Sequence, residues 1–263
     1  MMVALFVLIT AVPVTTAQAA SVEASWLITS KVAQGVIGIN YDIPKDKRIK
    51  LMITKDNSSY TYNLYASGQA EDFPLQQGNG TYKVSVLENT TGNKYKALYS
   101  EVVDVTMSDS NSVYLGSVQN VKWSSSDKAI IKAKELTKGK TTDEEKVKAI
   151  YNYVVANVQY DYSLANNVTT DYIPNINNTL NTKKGICYDY ASLFAAMLRS
   201  VDVPAKLVMG NTSYVTQYHA WNEVLMDGKW VTIDTTIDAS AAKSKKNTDF
   251  IKASSKYTAA KYY

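Results

Sequence analysis

The sequence contains one cysteine, Cys187, and one histidine, His219, among its 263 residues. A thiol and an imidazole can act together as nucleophile and general base in acyl transfer when a fold brings them into contact. One cysteine cannot form an intramolecular disulfide, and one cysteine with one histidine cannot form a zinc site from Cys and His ligands alone. Thiol chemistry in this chain therefore depends on these two residues, and we expect no cofactor.

Cys187 is predicted to begin a helix, because residues 188–199 are all compatible with helical structure. The first N–H groups of a helix are unpaired and its dipole is positive there, so this position stabilises a thiolate and can bind an oxyanion. The alternative is a structural role. Phe194 and Leu198 continue from Cys187 along one helical face, and a free cysteine is often a small buried hydrophobic residue.

His219 lies in a predicted β-hairpin together with an aspartate. Asp227-Gly228 between two β-rich segments is a strong hairpin signal, and a two-residue loop there places Trp221 opposite Asp234. His219 lies two residues before Trp221 and hence on the same face. Its Cα atom would be about 7–8 Å from that of Asp234, so the carboxylate can orient the imidazole. The alternative for His219 is a structural role on the strand. Trp221 either helps to exclude water from the site or has only a packing role.

The composition is that of a globular protein, with 46% hydrophobic and 20% charged residues. It excludes collagen-like, low-complexity and fully disordered classes. The net charge is +4, but only Arg48 and Arg199 among the 28 basic residues are arginines. Nucleic-acid binders favour clustered arginine, so we expect no nucleic-acid partner. The length exceeds that of one ordinary domain and predicts two.

Residues 1–20 are typical of a secretory signal peptide. The apolar segment from Val3 to Val12 is too short to span a bilayer, and Ala17-Gln18-Ala19 is a small-residue cleavage site. No lysine or arginine precedes the apolar segment, so the alternative is a hydrophobic strand or an uncleaved anchor. After cleavage we expect a secreted, extracellular protein without a transmembrane segment.

Residues 21–120 are predicted to form an all-β, immunoglobulin-like sandwich that folds apart from the rest. Short β-rich segments alternate with turn clusters; they are 25–31, 36–42, 49–55, 60–66, 81–88, 95–106 and 112–118. Tyr82, Val84 and Val86 alternate with polar residues and share one face. Their segment resembles a strand of bacterial immunoglobulin-like and fibronectin-type domains. We predict a spacer or binding module.

A helical period replaces the strand pattern near Trp123. The segment from Ser124 to Asp127 can cap a first helix, and Thr142 with Glu145 forms a capping box for a second, strongly amphipathic one. The polar segment 163–182 is predicted to be a loop that forms a wall of the site.

Three separated motifs resemble the core of the transglutaminase-like superfamily, in the order that the family has. They are Gly185-Ile186-Cys187-Tyr188-Asp189-Tyr190-Ala191 continued by residues 198–205, then His219-Ala220-Trp221-Asn222-Glu223-Val224, then Trp230-Val231-Thr232-Ile233-Asp234. Tyr160-Asp161-Tyr162 resembles a further family segment, whereas Asp202 stands where the family often has glycine. The resemblance covers residues 124–263, within a predicted domain of residues 121–263.

The resemblance implies a papain-like α+β domain, in which a helix carrying Cys187 packs on an antiparallel sheet carrying His219 and Asp234. It also implies catalytic roles for these three residues. The expected function is that of a secreted thiol enzyme acting on amide bonds of protein or peptide substrates, including cell-wall or surface proteins. Transglutaminase-type transfer is slightly favoured over peptidase-type hydrolysis, and no side chain is singled out as oxyanion donor. The alternative is a catalytically silent module for surface binding or adhesion.

Overall fold

The computed structural model describes residues 26–65 and 68–263. The predicted signal peptide, residues 1–20, lies outside the described residues. Within residues 26–65 and 68–263, no helix is long and apolar enough to cross a membrane. The chain combines an all-β N-terminal part with a second part of mixed helices and strands.

Two antiparallel sheets form the N-terminal part, in the orders β1-β2-β5 and β4-β3-β6-β7. Their strands are β1 (Leu27–Ile28), β2 (Val36–Ile39), β3 (Ile49–Lys55), β4 (Ser58–Leu64), β5 (Glu71–Pro74), β6 (Gly80–Asn89) and β7 (Tyr95–Val105). The sheets share one buried core, in which the rings of Tyr62 and Phe73 are 5.0 Å apart. The two sheets therefore form a sandwich.

The alternation predicted for the β6 segment is confirmed, because Tyr82, Val84 and Val86 are all fully buried. The predicted strand at 112–118 is wrong. Ser110–Tyr114 forms a 3-10 helix, which begins where the Asp109 side chain accepts a 2.8 Å hydrogen bond from the Asn111 N–H. Strand β5 was not predicted, since it is short and ends in proline.

The second part builds a four-stranded antiparallel sheet, in the order β12-β11-β10-β13, and surrounds it with helices. Its elements are α1 (Lys128–Thr137), α2 (Asp143–Asn157), β8 (Gln159–Tyr160), α3 (Tyr162–Asn167), α4 (Ile176–Thr182), β9 (Lys184–Gly185), α5 (Cys187–Arg199), β10 (Ala205–Thr212), β11 (Val215–Met226), β12 (Lys229–Ile233), α6 (Thr235–Lys243) and β13 (Tyr257–Tyr262). Helix α5 is central, because it packs on β10 and β11 and against α1, α2 and α4.

Capping side chains decide where several of these helices begin. The capping box of Thr142 and Glu145 is present at the start of α2, as predicted. The predicted loop at 163–182 is wrong, because it contains α3 and α4. Asp161 and Asn175 cap these helices by accepting 2.9 Å hydrogen bonds from main-chain N–H groups three residues later. Aspartate and asparagine favour loops and N-caps alike, so the polar residues in and just before this segment concealed two helix starts.

The two parts share one continuous core instead of two separate interiors. Buried Arg199, at the end of α5, donates hydrogen bonds to the main-chain oxygens of Ala205, Gly116 and Tyr263 at 2.9, 2.7 and 2.8 Å. The ring of Tyr263 lies 5.9 Å from that of Tyr62 in the sandwich. The buried hydrophobic cluster runs through both parts. This packing does not match the expectation that the sandwich folds apart from the rest.

Candidate active site

Cys187 is the first residue of α5, as the sequence predicts. Ile186 before it is extended, and its N–H donates a 2.8 Å hydrogen bond to the Asp189 carboxylate. The thiol is half-buried and lines an open cleft, whereas Phe194 and Leu198 on the same helix are fully buried. Cys187 packs against the edge of the core but is not enclosed by it, so the thiol is accessible to a ligand in the cleft.

The turn before Cys187 is held by the buried carboxylate of Asp189. One oxygen accepts the Ile186 N–H and the other accepts a 2.6 Å hydrogen bond from the Tyr172 hydroxyl. Burial raises the pKa of Asp189, and these two hydrogen bonds oppose that rise. Tyr172 belongs to the segment between α3 and α4, so Asp189 ties one cleft wall to the helix that carries Cys187.

Gly185 has no room for a side chain at this turn. A Cβ atom there would lie 2.5 Å from Cβ of Asp189. We therefore expect Gly185→Ala to lower the free energy of unfolding by about 1–3 kcal/mol, since the start of α5 must shift. Chemical denaturation measures this change. In the control Gly116→Ala, the nearest atom to the new Cβ is Val36 Cγ2 at 3.3 Å. Equal losses in the two variants would contradict the prediction.

His219 lies on β11, in the hairpin that the sequence predicts. Strands β11 and β12 pair in the predicted register as far as Asn222 opposite Ile233. Asp227 and Gly228 form the turn with φ of 49° and 72°, as a type I′ turn requires. The predicted pairing of Trp221 with Asp234 is not formed within the sheet, because Asp234 follows the last residue of β12 and caps α6.

The structure brings His219 and Asp234 into direct contact. His219 Nε2 lies 2.8 Å from Asp234 Oδ2, and both side chains are buried. The Tyr257 hydroxyl donates a 3.0 Å hydrogen bond to the same oxygen. The N–H groups of Thr236 and Ile237 donate to Oδ1 at 3.2 and 3.1 Å. Four donors therefore surround the Asp234 carboxylate and hold it in one orientation.

The imidazole of His219 is held in its charged form. Burial lowers its pKa, but the hydrogen bond to Asp234, a hydrogen bond with Cys187 and the charges of both partners outweigh burial and raise the pKa to about 10. With Nε2 occupied by Asp234, the other ring nitrogen, Nδ1, is left for the thiol. The imidazole thus lies between the thiol and the carboxylate, which is the arrangement used in covalent acyl transfer.

Of the two tryptophans in the motifs, only Trp221 packs beside the site, and neither lines the cleft. The Trp221 ring is stacked on His219 at 6.3 Å and 19°, contacts Tyr257 at 4.9 Å, and is only 2% exposed. The buried Trp221 ring packs beside the imidazole. Trp230 instead lies 3.9 Å from the Lys206 ammonium. Sequence reasoning missed Tyr257, whose strand β13 is distant in sequence from the hairpin.

An open cleft crosses the site in two compartments that meet at the thiol. They share Val168, Ile186, Cys187, Tyr218 and His219. The first compartment has a volume of about 390 Å³ and is also lined by Tyr160, Tyr162, Gln217 and Ser240. The second has about 260 Å³ and is also lined by Thr169, Tyr172, Tyr188 and Met209. A larger groove of about 740 Å³ lies next to residues 43–50; Cys187 does not line it, but it shares Thr170 with the second compartment.

The described residues contain no group of three or more His, Cys, Asp or Glu side chains that could hold a metal ion. Residues 132–235 match the model of the Transglutaminase-like superfamily. The chain contains a transglutaminase-like domain. That domain includes Cys187, His219 and Asp234, together with the cleft residues of α3 and β11.

Comparisons with known proteins place the transglutaminase-like domain among diverse relatives. Human Kyphoscoliosis peptidase is 30% identical over 105 residues, which is 36% of this chain and 16% of that protein. The UPF0252 protein MJ1282 of Methanocaldococcus jannaschii is 31% identical over 120 residues, 41% of this chain and 34% of that protein. The chain thus spans about a third or less of these curated relatives. A solved candidate cysteine protease of Cytophaga hutchinsonii is 19% identical, covering 76% of this chain and 71% of that one with a TM-score of 0.43.

Proposed function

We propose that this protein is a thiol enzyme that cleaves amide bonds of protein or peptide substrates through a thioester on Cys187. The observation that carries the proposal is the position of His219, which contacts Asp234 and lines, together with Cys187, both of the open compartments. In this proposal Cys187 is the nucleophile, His219 the general acid and base, and Asp234 the residue that orients His219.

Acylation begins with a thiolate on Cys187 and a proton on His219. The sulfur attacks the amide carbonyl carbon, and the N–H of Cys187, at the start of α5, is available to the oxyanion. The carbon–nitrogen bond then breaks as the His219 proton passes to the departing nitrogen. The amine leaves, and the acyl group remains on the sulfur as a thioester.

Deacylation returns the enzyme to its starting state. Water adds to the thioester carbonyl and gives one proton to His219. The carbon–sulfur bond breaks, which releases a carboxylic acid and regenerates the thiolate beside the protonated imidazole. We favour water over an amine as the acceptor, because the cleft is open on both sides of Cys187 and because a curated relative of the domain is called a peptidase.

Amine transfer is the second candidate. Two compartments meet at the thiol, so an amine could approach the thioester through one compartment while the acyl group occupies the other. The reaction products decide between the candidates. Wild type and Cys187→Ser are incubated with a protein and peptide panel and a labelled primary amine. New peptide termini that depend on Cys187 support hydrolysis, and incorporated label that depends on Cys187 supports transfer. The absence of both products would favour a catalytically silent binding module.

The raised pKa of His219 predicts the alkaline limit of activity. Acylation needs the His219 proton, so kcat/KM should fall as pH rises through about 10.

The proton on His219 also stabilises the fold, because folding raises the pKa of His219 from 6.5 to about 10. This stabilisation is fully present below pH 6.5 and is lost as pH rises through about 10. The difference in free energy of unfolding between wild type and His219→Gln should therefore shrink as pH rises from 6.5 to about 10. A difference that does not change with pH would contradict the raised pKa of His219.

We propose that the N-terminal sandwich is immunoglobulin-like, with domain limits at 21–120 and 121–263. The Tyr82 hydroxyl, near the start of β6, donates to the main-chain oxygens of Leu75 and Gly78 at 2.9 and 2.7 Å. A tyrosine bonded back to the preceding corner is typical of such sandwiches. A crystal structure without these two bonds would count against this assignment.

We also propose that the protein is exported after cleavage behind Ala19 or Ala20. The support is the apolar segment followed by Ala17-Gln18-Ala19. Mass spectrometry of the protein secreted by its native host should find an N-terminus at Ala20 or Ser21. Mature protein that retains Met1 would refute export by this route.

A further inference from the structure

Apart from the reacting pair, Cys187 and His219, the two compartments have no charged side chain in their described walls. The chain has 28 basic and 24 acidic residues, yet no Lys, Arg, Asp or Glu lines either compartment in the described part of the chain. Apart from Cys187 and His219, the titratable lining residues are tyrosines. Burial raises the pKa of Tyr160, Tyr172 and Tyr218, so their hydroxyls stay neutral. Away from Cys187 and His219, a charged substrate group would lose water here without gaining a partner of opposite charge.

The same walls offer apolar and aromatic surface that the fold leaves uncovered. Tyr162, Tyr218 and Val168 line the cleft and are 72%, 54% and 39% exposed. Large exposed apolar side chains that cluster in a concave site indicate a binding surface. The clustered tyrosine rings provide flat contact area, and their hydroxyls, with Gln217 and Thr169, can bond to main-chain amides of a ligand.

The compartments share the atoms that react but have different outer walls. Ser240 lines only the first compartment and Thr169 only the second, whereas Cys187 and His219 belong to both. A ligand that fills both compartments must cross the thiol. An extended polypeptide can do so, with its reactive amide at Cys187 and neighbouring residues on either side.

We propose that the cleft selects an extended, uncharged polypeptide segment with aromatic or large aliphatic side chains on both sides of the reactive amide. This inference rests on the proposed function, because it takes Cys187 as the reacting atom. It goes beyond that function by naming the substrate class and the two walls that select it.

The test uses quenched fluorescent peptides that carry Leu, Phe, Lys or Glu at the residues flanking the cleaved bond. Wild type should use the Leu and Phe peptides with a kcat/KM about tenfold or more above the Lys and Glu peptides. Ser240→Glu should raise kcat/KM for Lys peptides, relative to the Leu and Phe peptides, by about threefold to fivefold when the Lys lies on one side of the cleaved bond. Thr169→Glu should have the same effect only when the Lys lies on the other side. Ser108→Glu, at an exposed position outside the cleft, is the matched control and should leave all ratios unchanged.

Binding to Cys187→Ser separates this inference from the proposed function. If wild type cleaves no peptide but the serine variant binds the Leu and Phe peptides about tenfold more tightly than the charged ones, the preference of the cleft for uncharged segments stands and the proposed function fails. If wild type cleaves charged and uncharged peptides equally well, the function stands and the inference fails. Absence of binding to any peptide, or variants that change both flanks alike, would also overturn the inference.

Discussion

Replacing His219 with glutamine should slow acylation of Cys187 by about 10²–10⁴-fold, because the variant has neither a proton for the leaving amine nor a charge beside the thiolate. Glutamine can still contact Asp234 and occupies a similar volume, so the fold should persist. Single-turnover measurement with the best peptide substrate gives the acylation rate. The rate of Cys187 alkylation by iodoacetamide at pH 7 should fall together with the acylation rate. The alkylation assay needs no substrate.

A graded series makes this result specific to His219. Tyr257→Phe removes one of the four donors to Asp234 but leaves the His219–Asp234 contact intact. We expect a loss of about threefold to tenfold in kcat/KM, corresponding to one hydrogen bond that acts through Asp234. If His219→Gln is alkylated and acylated at the wild-type rate, His219 is not the general acid and base, and its assigned role is wrong. Equal effects of both substitutions would mean that they act through folding.

Replacing Arg199 with methionine should lower the free energy of unfolding by about 3–5 kcal/mol. Arg199 is fully buried and donates to three main-chain oxygens, at the first residue of β10, on the connection between the two parts and at Tyr263. Methionine fills much of the volume but donates nothing, so three buried acceptors lose their partner. Because both parts of the chain meet at this side chain, we expect one cooperative transition at lower denaturant in the variant.

The other arginine provides the matched control. Exposed Arg48 also donates to protein oxygens, to Asn89 Oδ1 at 2.8 Å and to the Gly92 carbonyl at 2.7 Å. Water can replace these contacts, so Arg48→Met should cost less than about 1 kcal/mol. Urea denaturation of both variants measures the difference. Similar losses at the two positions would show that Arg199 does not join the two parts in the way described.

Local signals in the sequence were sufficient for the elements that carry the site. The helix that begins at Cys187 and the hairpin turn at Asp227-Gly228 depend on neighbouring residues, so their start and register could be read directly. The capping box at Thr142 is equally local. The contact between His219 and Asp234 followed because hairpin pairing brings together residues that are close in sequence.

Contacts between distant segments could not be read in this way. Tyr257 reaches Asp234 from β13, and no periodicity near either residue indicates that pairing. Asp161 and Asn175 look like loop residues until the helices that they cap are packed against α5 and its neighbours. The buried bonds of Arg199 likewise depend on three separated segments.

The sequence by itself determined that any thiol chemistry belongs to Cys187 and His219, since there is one residue of each type. It also determined the local geometry of the helix and the hairpin that carry them. Only the tertiary structure decided that the thiol faces an open cleft, that the cleft walls apart from Cys187 and His219 are uncharged, and that one core joins the sandwich to the domain. The physical reason is range: caps and turns arise from neighbouring residues, whereas a cleft and a core arise from packing between segments far apart in the chain.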